Sequence, residues 1–394
     1  MKQQVSKWKE KLHGLSVKKA AGTVVKGLAG IVVVTGVSFG SLSWYFTGDV
    51  LGMFKLLRAF DVVETYYAGN ISKQALLDGA LKGIVSTLGD KHSEYLSGEE
   101  FEAFSSQMSA SYAGIGVYIS KADEGVLIAG VMDDSPASEA GLKRGDTILA
   151  IDGKPTSGME LADVSDQIRG PVDTAVVLTV REDGVDKDVS LTRRRIHIKT
   201  VAGEMVEGTD IGYIRIAMFS EDTGKEFTEQ FQQLRSQGMK RFILDLRNNP
   251  GGLVDQATDV ASNFVPPQTT VVSYIGSDGQ ETKFTAPGTE DLLPMVVLVN
   301  ENSASASEIV AGDVQDLGLG KIVGVRTYGK GTVQGVYPVT ADNAVKLTVA
   351  KYRTAKGRQV DGTGIEPDVV VQLQPDDTVD YQLEKALEII KGQE

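Results

Sequence analysis

Three short segments of this chain hold residues whose types and spacing permit covalent chemistry. In the first, the apolar run Val296-Val297-Leu298-Val299 passes through Asn300-Glu301-Asn302 into Ser303-Ala304-Ser305-Ala306-Ser307-Glu308. A serine at such a strand-to-helix turn presents its hydroxyl near the positive end of a helix dipole, where unpaired backbone N–H groups can stabilise an oxyanion. The same residues read equally well as a helix cap, with Ser303 or Ser305 capping and Glu308 completing the box. The second segment is Arg326-Thr327-Tyr328-Gly329-Lys330-Gly331-Thr332-Val333-Gln334. A lysine acts as a general base only when neutral, so burial has to hold its pKa well below the usual value of about 10.4. Flanking glycines let the backbone turn that amine into a pocket, and the Gln334 amide, four residues on, can orient it. The plainer alternative is a surface lysine on a glycine turn. The third segment, Leu244-Asp245-Leu246-Arg247-Asn248-Asn249-Pro250-Gly251-Gly252, ends a strand in a glycine pair. Such a turn either aims an N–H at a tetrahedral intermediate or permits a tight bend.

These segments need a scaffold, and beyond about residue 200 strand and helix patterns alternate. Strands are expected at Ile211–Ile216, Phe242–Leu246, Val296–Asn300, Lys321–Val325 and Val345–Tyr352. Helices are expected at about Thr223–Ser236, Val254–Phe264 and Ala306–Asp316, with a terminal helix at Thr378–Lys391. That alternation is the signature of an α/β core. Residues 50–105 repeat apolar side chains at helical spacing (Leu56, Phe60, Val63, Tyr67; then Ala75, Leu76, Ala80, Ile84, Leu88). They read as a packing or dimerising arm without catalytic residues, so a homodimer is one expected assembly.

Between about Tyr112 and Arg195 the texture changes to short strands punctuated by glycine. The turn Tyr112-Ala113-Gly114-Ile115-Gly116-Val117 leads straight into a strand. Converging backbone N–H groups at such a turn can hold a carboxylate, and the strand can accept an extended peptide beside it. An amphipathic helix at Leu161, Val164 and Ile168 would form the other wall, closed by Arg169-Gly170-Pro171. With Ser135-Pro136-Ala137, Ala140-Gly141-Leu142-Lys143-Arg144-Gly145-Asp146 and Ile151-Asp152-Gly153, the stretch resembles a PDZ domain of the circularly permuted kind attached to bacterial proteases. The resemblance implies capture of carboxyl-terminal segments at Gly114, Ile115, Gly116 and Val117. Arg169 either caps the groove helix or couples peptide binding to the catalytic domain.

Composition narrows the chemistry. A chain of 394 residues is long enough for two or three domains. Cysteine is absent, which removes disulfides, thiolate metal sites and cysteine nucleophiles, and only His13, His92 and His197 are present. A net charge of −13 argues against a nucleic-acid partner. Residues 1–26 nevertheless carry seven lysines and one glutamate, leaving −19 for the remainder. From Gly27 to Gly48 no residue is charged, and 22 helical positions span roughly 33 Å, enough for a bilayer core of about 30 Å. Trp44-Tyr45-Phe46 would form an aromatic belt, and the preceding lysines would keep the amino end cytoplasmic. The expectation is an uncleaved single-pass anchor in the cell membrane with an extracytoplasmic catalytic region. The competing reading, a cleaved signal peptide ending near Ser41-Leu42-Ser43, is disfavoured because that triplet lies inside the apolar run.

Taken together, the Asn-Pro-Gly-Gly, Ser-Ala-Ser-Ala-Ser-Glu and Gly-Lys-Gly-x-x-Gln motifs, in that order around a PDZ-like insert, resemble the carboxyl-terminal processing peptidases, or tail-specific proteases. Gly362-Thr363-Gly364-Ile365-Glu366-Pro367-Asp368 is similar to that family's closing segment. The resemblance covers about residues 50–394. It implies an α/β multidomain protein: a crotonase/ClpP-like α/β protease core, an inserted PDZ β-barrel-like domain, an N-terminal helical arm and a transmembrane helix. The expected boundaries are 1–26 (basic cytoplasmic start), 27–48 (anchor), 50–105 (arm), 108–197 (PDZ), 198–376 (protease) and 377–394 (terminal helix). The family's lysine follows its serine by 25 residues, which selects Ser305 with Lys330. By the same resemblance Gln334 orients the lysine, and the N–H groups of Gly251 and Ala306 form the oxyanion hole. The implied reaction is serine-type endopeptidase cleavage near protein C-termini, without metal or other cofactor. Two other readings are a membrane-tethered PDZ scaffold with an inert protease domain and a Ser–His hydrolase using His197, beside Arg193-Arg194-Arg195.

Overall fold

The computed structural model of the chain describes residues 35–122 and 124–392. They form two units, one ending at Thr87 and one beginning at Leu88. In the first unit residues 35–47 are helical, and the helices Gly52–Tyr66 and Lys73–Ser86 follow. Lys73–Ser86 starts where the Ser72 hydroxyl accepts the Ala75 N–H. The basic start and residues 27–34 of the expected anchor lie outside the described residues. Among the described residues no helix is long and apolar enough to cross a membrane.

The second unit is built on a six-stranded sheet in the order Val201–Met205, Ile211–Ile216, Arg241–Asp245, Met295–Val299, Gly320–Gly324, Val369–Val370. The first pair is antiparallel and the others parallel. Parallel strands are covered on both faces, which is why Met295–Val299 is apolar and buried at every position. Alternate side chains feed two cores. Phe242, Leu244, Val297 and Val299 join residues of the helices Thr223–Ser236, Val254–Ala261 and Ala306–Leu317. Ile243, Val296 and Leu298 instead meet Ala386 and Ile390 of the helix Tyr381–Lys391. The expected strands and helices of this core form, with no end shifted by more than three residues.

A second, antiparallel sheet has members that no pattern above signals. Ala344–Arg353 is flanked by Thr332–Pro338 on one side, and by Glu94–Leu96 and the hairpin Thr269–Ile275/Glu281–Ala286 on the other. The stretch read as a purely helical arm therefore supplies a strand here, because Tyr95 and Leu96 are buried. The helix Gly98–Met108 follows, and its final carbonyl accepts the Glu221 N–H at 3.0 Å.

The glycine-punctuated region is a sheet in the order Val117–Lys121, Val126–Val131, Thr147–Ile151, Ala175–Glu182, Val185–Thr192, packed by Ile128, Ile148, Val164 and Leu178. Its entry strand Ser111–Gly114 pairs antiparallel with its exit strand Arg194–His197, Gly114 opposite Arg194. An insertion whose ends are paired in this way interrupts its host at a single place.

Candidate active site

Ser305 is the N-cap of the helix Ala306–Leu317, with φ +55° and ψ −115°. A residue bearing a Cβ adopts such angles only when its surroundings enforce them. Here the flanking residues are tied to the 246–249 turn. Ser303 Oγ donates to the Leu246 carbonyl at 2.8 Å, the Ala304 N–H to the Asn249 carbonyl at 3.0 Å, and Ser307 Oγ to that same carbonyl at 3.0 Å. Ser303 and Ser307 are therefore wholly buried and committed to carbonyl groups, whereas Ser305 lines an open cavity. Of the three serines, geometry leaves Ser305 for chemistry.

The glycine turn lies directly beneath it. Gly251 has φ +95°, and a Cβ there would stand 2.5 Å from the Ala304 carbonyl oxygen, 2.7 Å from Ser305 Cβ and 2.9 Å from the Ala306 nitrogen. Only glycine permits this approach. The backbones of Gly251 and Ala306 are thus neighbours at the serine. The Ala306 N–H occupies the first helical position, where no intrahelical acceptor exists. The Gly251 N–H donates to Asn249 Oδ1 at 2.9 Å, while Asn249 Nδ2 donates to the Ile216 carbonyl.

Lys330 lines the same cavity. Among the described residues its amine has no ion pair or hydrogen bond; its backbone N–H donates to Glu308 Oε2 at 2.8 Å. Burial pulls the amine below the ordinary lysine range, and the charge of Lys346 pulls the same way, against Glu308, Asp90 and Glu94. Glycines on either side are needed because residues 361–364 press against the loop. A Cβ on Gly331 would lie 2.3 Å from the Asp361 nitrogen. Gln334 sits on Thr332–Pro338 and lines the cavity, with its amide nitrogen donating to Thr332 Oγ1 at 2.9 Å and Thr348 Oγ1 at 3.3 Å.

Glu308 joins the two halves. Fully buried, it accepts the Ser305 and Lys330 N–H groups on Oε2, and the Thr327 hydroxyl and Gly329 N–H on Oε1. Thr327 Oγ1 in turn accepts the Ile365 N–H, which brings in the closing segment. The capping-box pattern signals Glu308 as a local residue, but nothing in the sequence signals its reach across the site. The cavity, about 570 Å³, also has an apolar wall of Phe104, Met108, Leu253, Tyr274, Phe284 and Val336. Phe104 and Met108 come from the helix Gly98–Met108, where no functional residue was expected.

In the inserted region, Ile115, Gly116 and Val117 line a small pocket with Tyr112, Ile168 and Arg169, and Gly114 ends the adjoining stem strand. Gly116 has φ +79°, and a Cβ there would lie 2.3 Å from Ser135 Cβ. Val117–Lys121 is an edge strand, so one side of its backbone is open to an added strand. The Arg169 guanidinium stands 5.1 Å from the Tyr112 ring centroid. His197 does not line the cavity of Ser305; its Nε2 meets Glu226 Oε1 at 2.5 Å in the stem.

Parts of the chain are similar to known protein families. Residues 210–371 match the profile of peptidase family S41, residues 127–182 that of the PDZ domain, and residues 46–100 that of the activating protease CtpB N-terminal domain. The carboxy-terminal processing protease CtpA of Bacillus subtilis (strain 168) is 36% identical over 357 residues, covering 87% of this chain and 76% of the relative. A carboxy-terminal-processing protease of Bartonella bacilliformis is 37% identical over 321 residues, 79% of this chain and 73% of its own length. Among solved structures, a photosystem II D1 C-terminal processing protease aligns over 86% of this chain and 97% of that one, with a TM-score of 0.49 and 28% identity.

Proposed function

Since this chain belongs to the carboxy-terminal processing proteases of peptidase family S41, a family of serine proteases, we propose that its chemistry is done by a Ser305–Lys330 dyad. The observation that carries the reading is that Ser305 and Lys330 line a single cavity, the lysine amine having no ion pair or hydrogen bond among the described residues. Neutral Lys330 takes the Ser305 proton, and the alkoxide attacks a peptide carbonyl. The oxyanion is held by the Ala306 N–H and by that of Gly251 once it turns from Asn249. Lys330 then protonates the leaving amine, and water resolves the acyl-enzyme. Gln334, whose amide nitrogen donates to Thr332 and Thr348, orients the lysine once its amide oxygen turns to the Lys330 amine.

The PDZ region holds the substrate's carboxyl-terminal tail at Gly114 to Val117, and the cut falls near that end. Peptides released by the full chain from a tail-bearing substrate, mapped by mass spectrometry, are expected to vanish in Ser305→Ala and in Lys330→Ala. Undiminished cleavage by either variant refutes the dyad, and tail binding without any turnover in the parent chain would favour an inert scaffold.

The basic start and the uncharged run 27–48 support an uncleaved anchor, with the catalytic unit extracytoplasmic. Amino-terminal sequencing of the membrane-bound protein is expected to begin at the first residues; a start near Trp44 would replace the anchor with a cleaved signal.

A further inference from the structure

Two lysines, not one, face the cavity of Ser305: Lys330 and Lys346. Lys346 stands directly across from Glu94 in the pairing of Ala344–Arg353 with Glu94–Leu96, and its ammonium is bound by the Glu94 carboxylate. It also lies 5.5 Å from the Phe104 ring centroid, with its side chain only 21% exposed. The other acidic groups facing this corner are already engaged. Glu308 is filled by its four donors, Asp361 is paired with Lys351, and Asp90 accepts the Ser93 hydroxyl. Asp255, on the cavity wall, accepts the Gln256 N–H, and His92 is held below the usual imidazole range by burial and by Lys330 itself. Among the described residues, the one ion pair that either cavity lysine makes is that of Lys346 with Glu94.

We propose that Lys346 is a positioning residue for the base: it takes Glu94, remains the fixed cation of the cavity, and by repulsion leaves Lys330 as the amine that works without its proton. The inference rests on the reading of Lys330 as general base. A cationic neighbour is an established way to keep a lysine nucleophilic or basic, because two adjacent ammonium groups cannot both be cheaply charged. The downward pull on the Lys330 pKa, led by burial and followed by Lys346, agrees with it.

The test is the pH profile of kcat/KM for a peptide substrate, measured on the full chain and four variants. Activity rises with pH as Lys330 loses its proton. Lys346→Met removes the repulsion, so the acid limb moves to higher pH, with activity several-fold lower near neutrality and recovering in alkali. Lys346→Arg keeps the charge and leaves the limb in place. Glu94→Gln removes an attraction, so its limb moves the opposite way, to lower pH. A limb unmoved in Lys346→Met, or one that shifts in the same direction in Lys346→Met and Glu94→Gln, overturns the proposal. Should Lys346→Met fail to fold, the Glu94→Gln limb alone decides, since anything but a downward shift contradicts it. Lys330→Ala, run alongside, separates the premises: activity there removes the dyad itself, whereas an inactive Lys330→Ala with an unmoved Lys346→Met limb removes only the role of Lys346.

Discussion

Glu308 has no exposed surface, and each of its carboxylate oxygens accepts two donors, in all three backbone N–H groups and one hydroxyl. Replacing it with glutamine turns one oxygen into an NH2 group facing two donors that need an acceptor. Each buried donor left unsatisfied costs about 1–3 kcal/mol. Glu308→Gln is therefore expected to lower stability by roughly 2 kcal/mol or more, and to cut turnover at least tenfold, because the serine and lysine backbones are fixed through the same group. Urea unfolding and peptide cleavage, measured side by side, check both. A variant with parental turnover would mean that the loop of Lys330 holds its place without Glu308. The sequence makes Glu308 visible as a helix-capping residue three positions after Ser305. It cannot display Thr327, Gly329 and Lys330 as the other partners, since those contacts exist only after two distant segments meet.

Elements formed where their burial was uniform. Ile211–Ile216 and Thr223–Ser236 lie where periodicity puts them, because each has one clear apolar face or is apolar throughout. The hairpin Thr269–Ile275/Glu281–Ala286 carries no such mark: most of its side chains are half-buried or exposed, so polar and apolar residues mix along it. The paired stem strands Ser111–Gly114 and Arg194–His197 have a further consequence. Because Gly114 and Arg194 are opposite one another, roughly 5 Å apart as ladder partners are, residues 115–193 can be replaced by two glycines without stretching the chain. That variant is expected to keep a cooperative thermal transition by circular dichroism, within a few degrees of the parent's protease transition. Its denaturant m-value should fall because less surface is exposed on unfolding. Loss of any cooperative transition would show that the insert is part of the host's core.

At the scale of the whole second unit, the site is a meeting place. Part of the cavity's apolar wall comes from residues 104–108, the glycine turn from 250–252, the cavity-lining serine from 305, and the lysines and their neighbours from 330–346. The motifs were legible because they are local: a strand-to-helix turn, a glycine pair and a glycine-flanked lysine are each dictated by backbone geometry over a few residues. From them came the family, the choice of Ser305 with Lys330, and the α/β core. What no short stretch contains is which groups compete for which charges. That Ser303 and Ser307 spend their hydroxyls on carbonyls, that the helix Gly98–Met108 closes the cavity, and that Glu94 serves Lys346 rather than Lys330 all depend on contacts between residues far apart in the chain. Hydrogen bonding and charge act through space over a few ångströms, so partners of that kind are assigned only when packing brings the segments together.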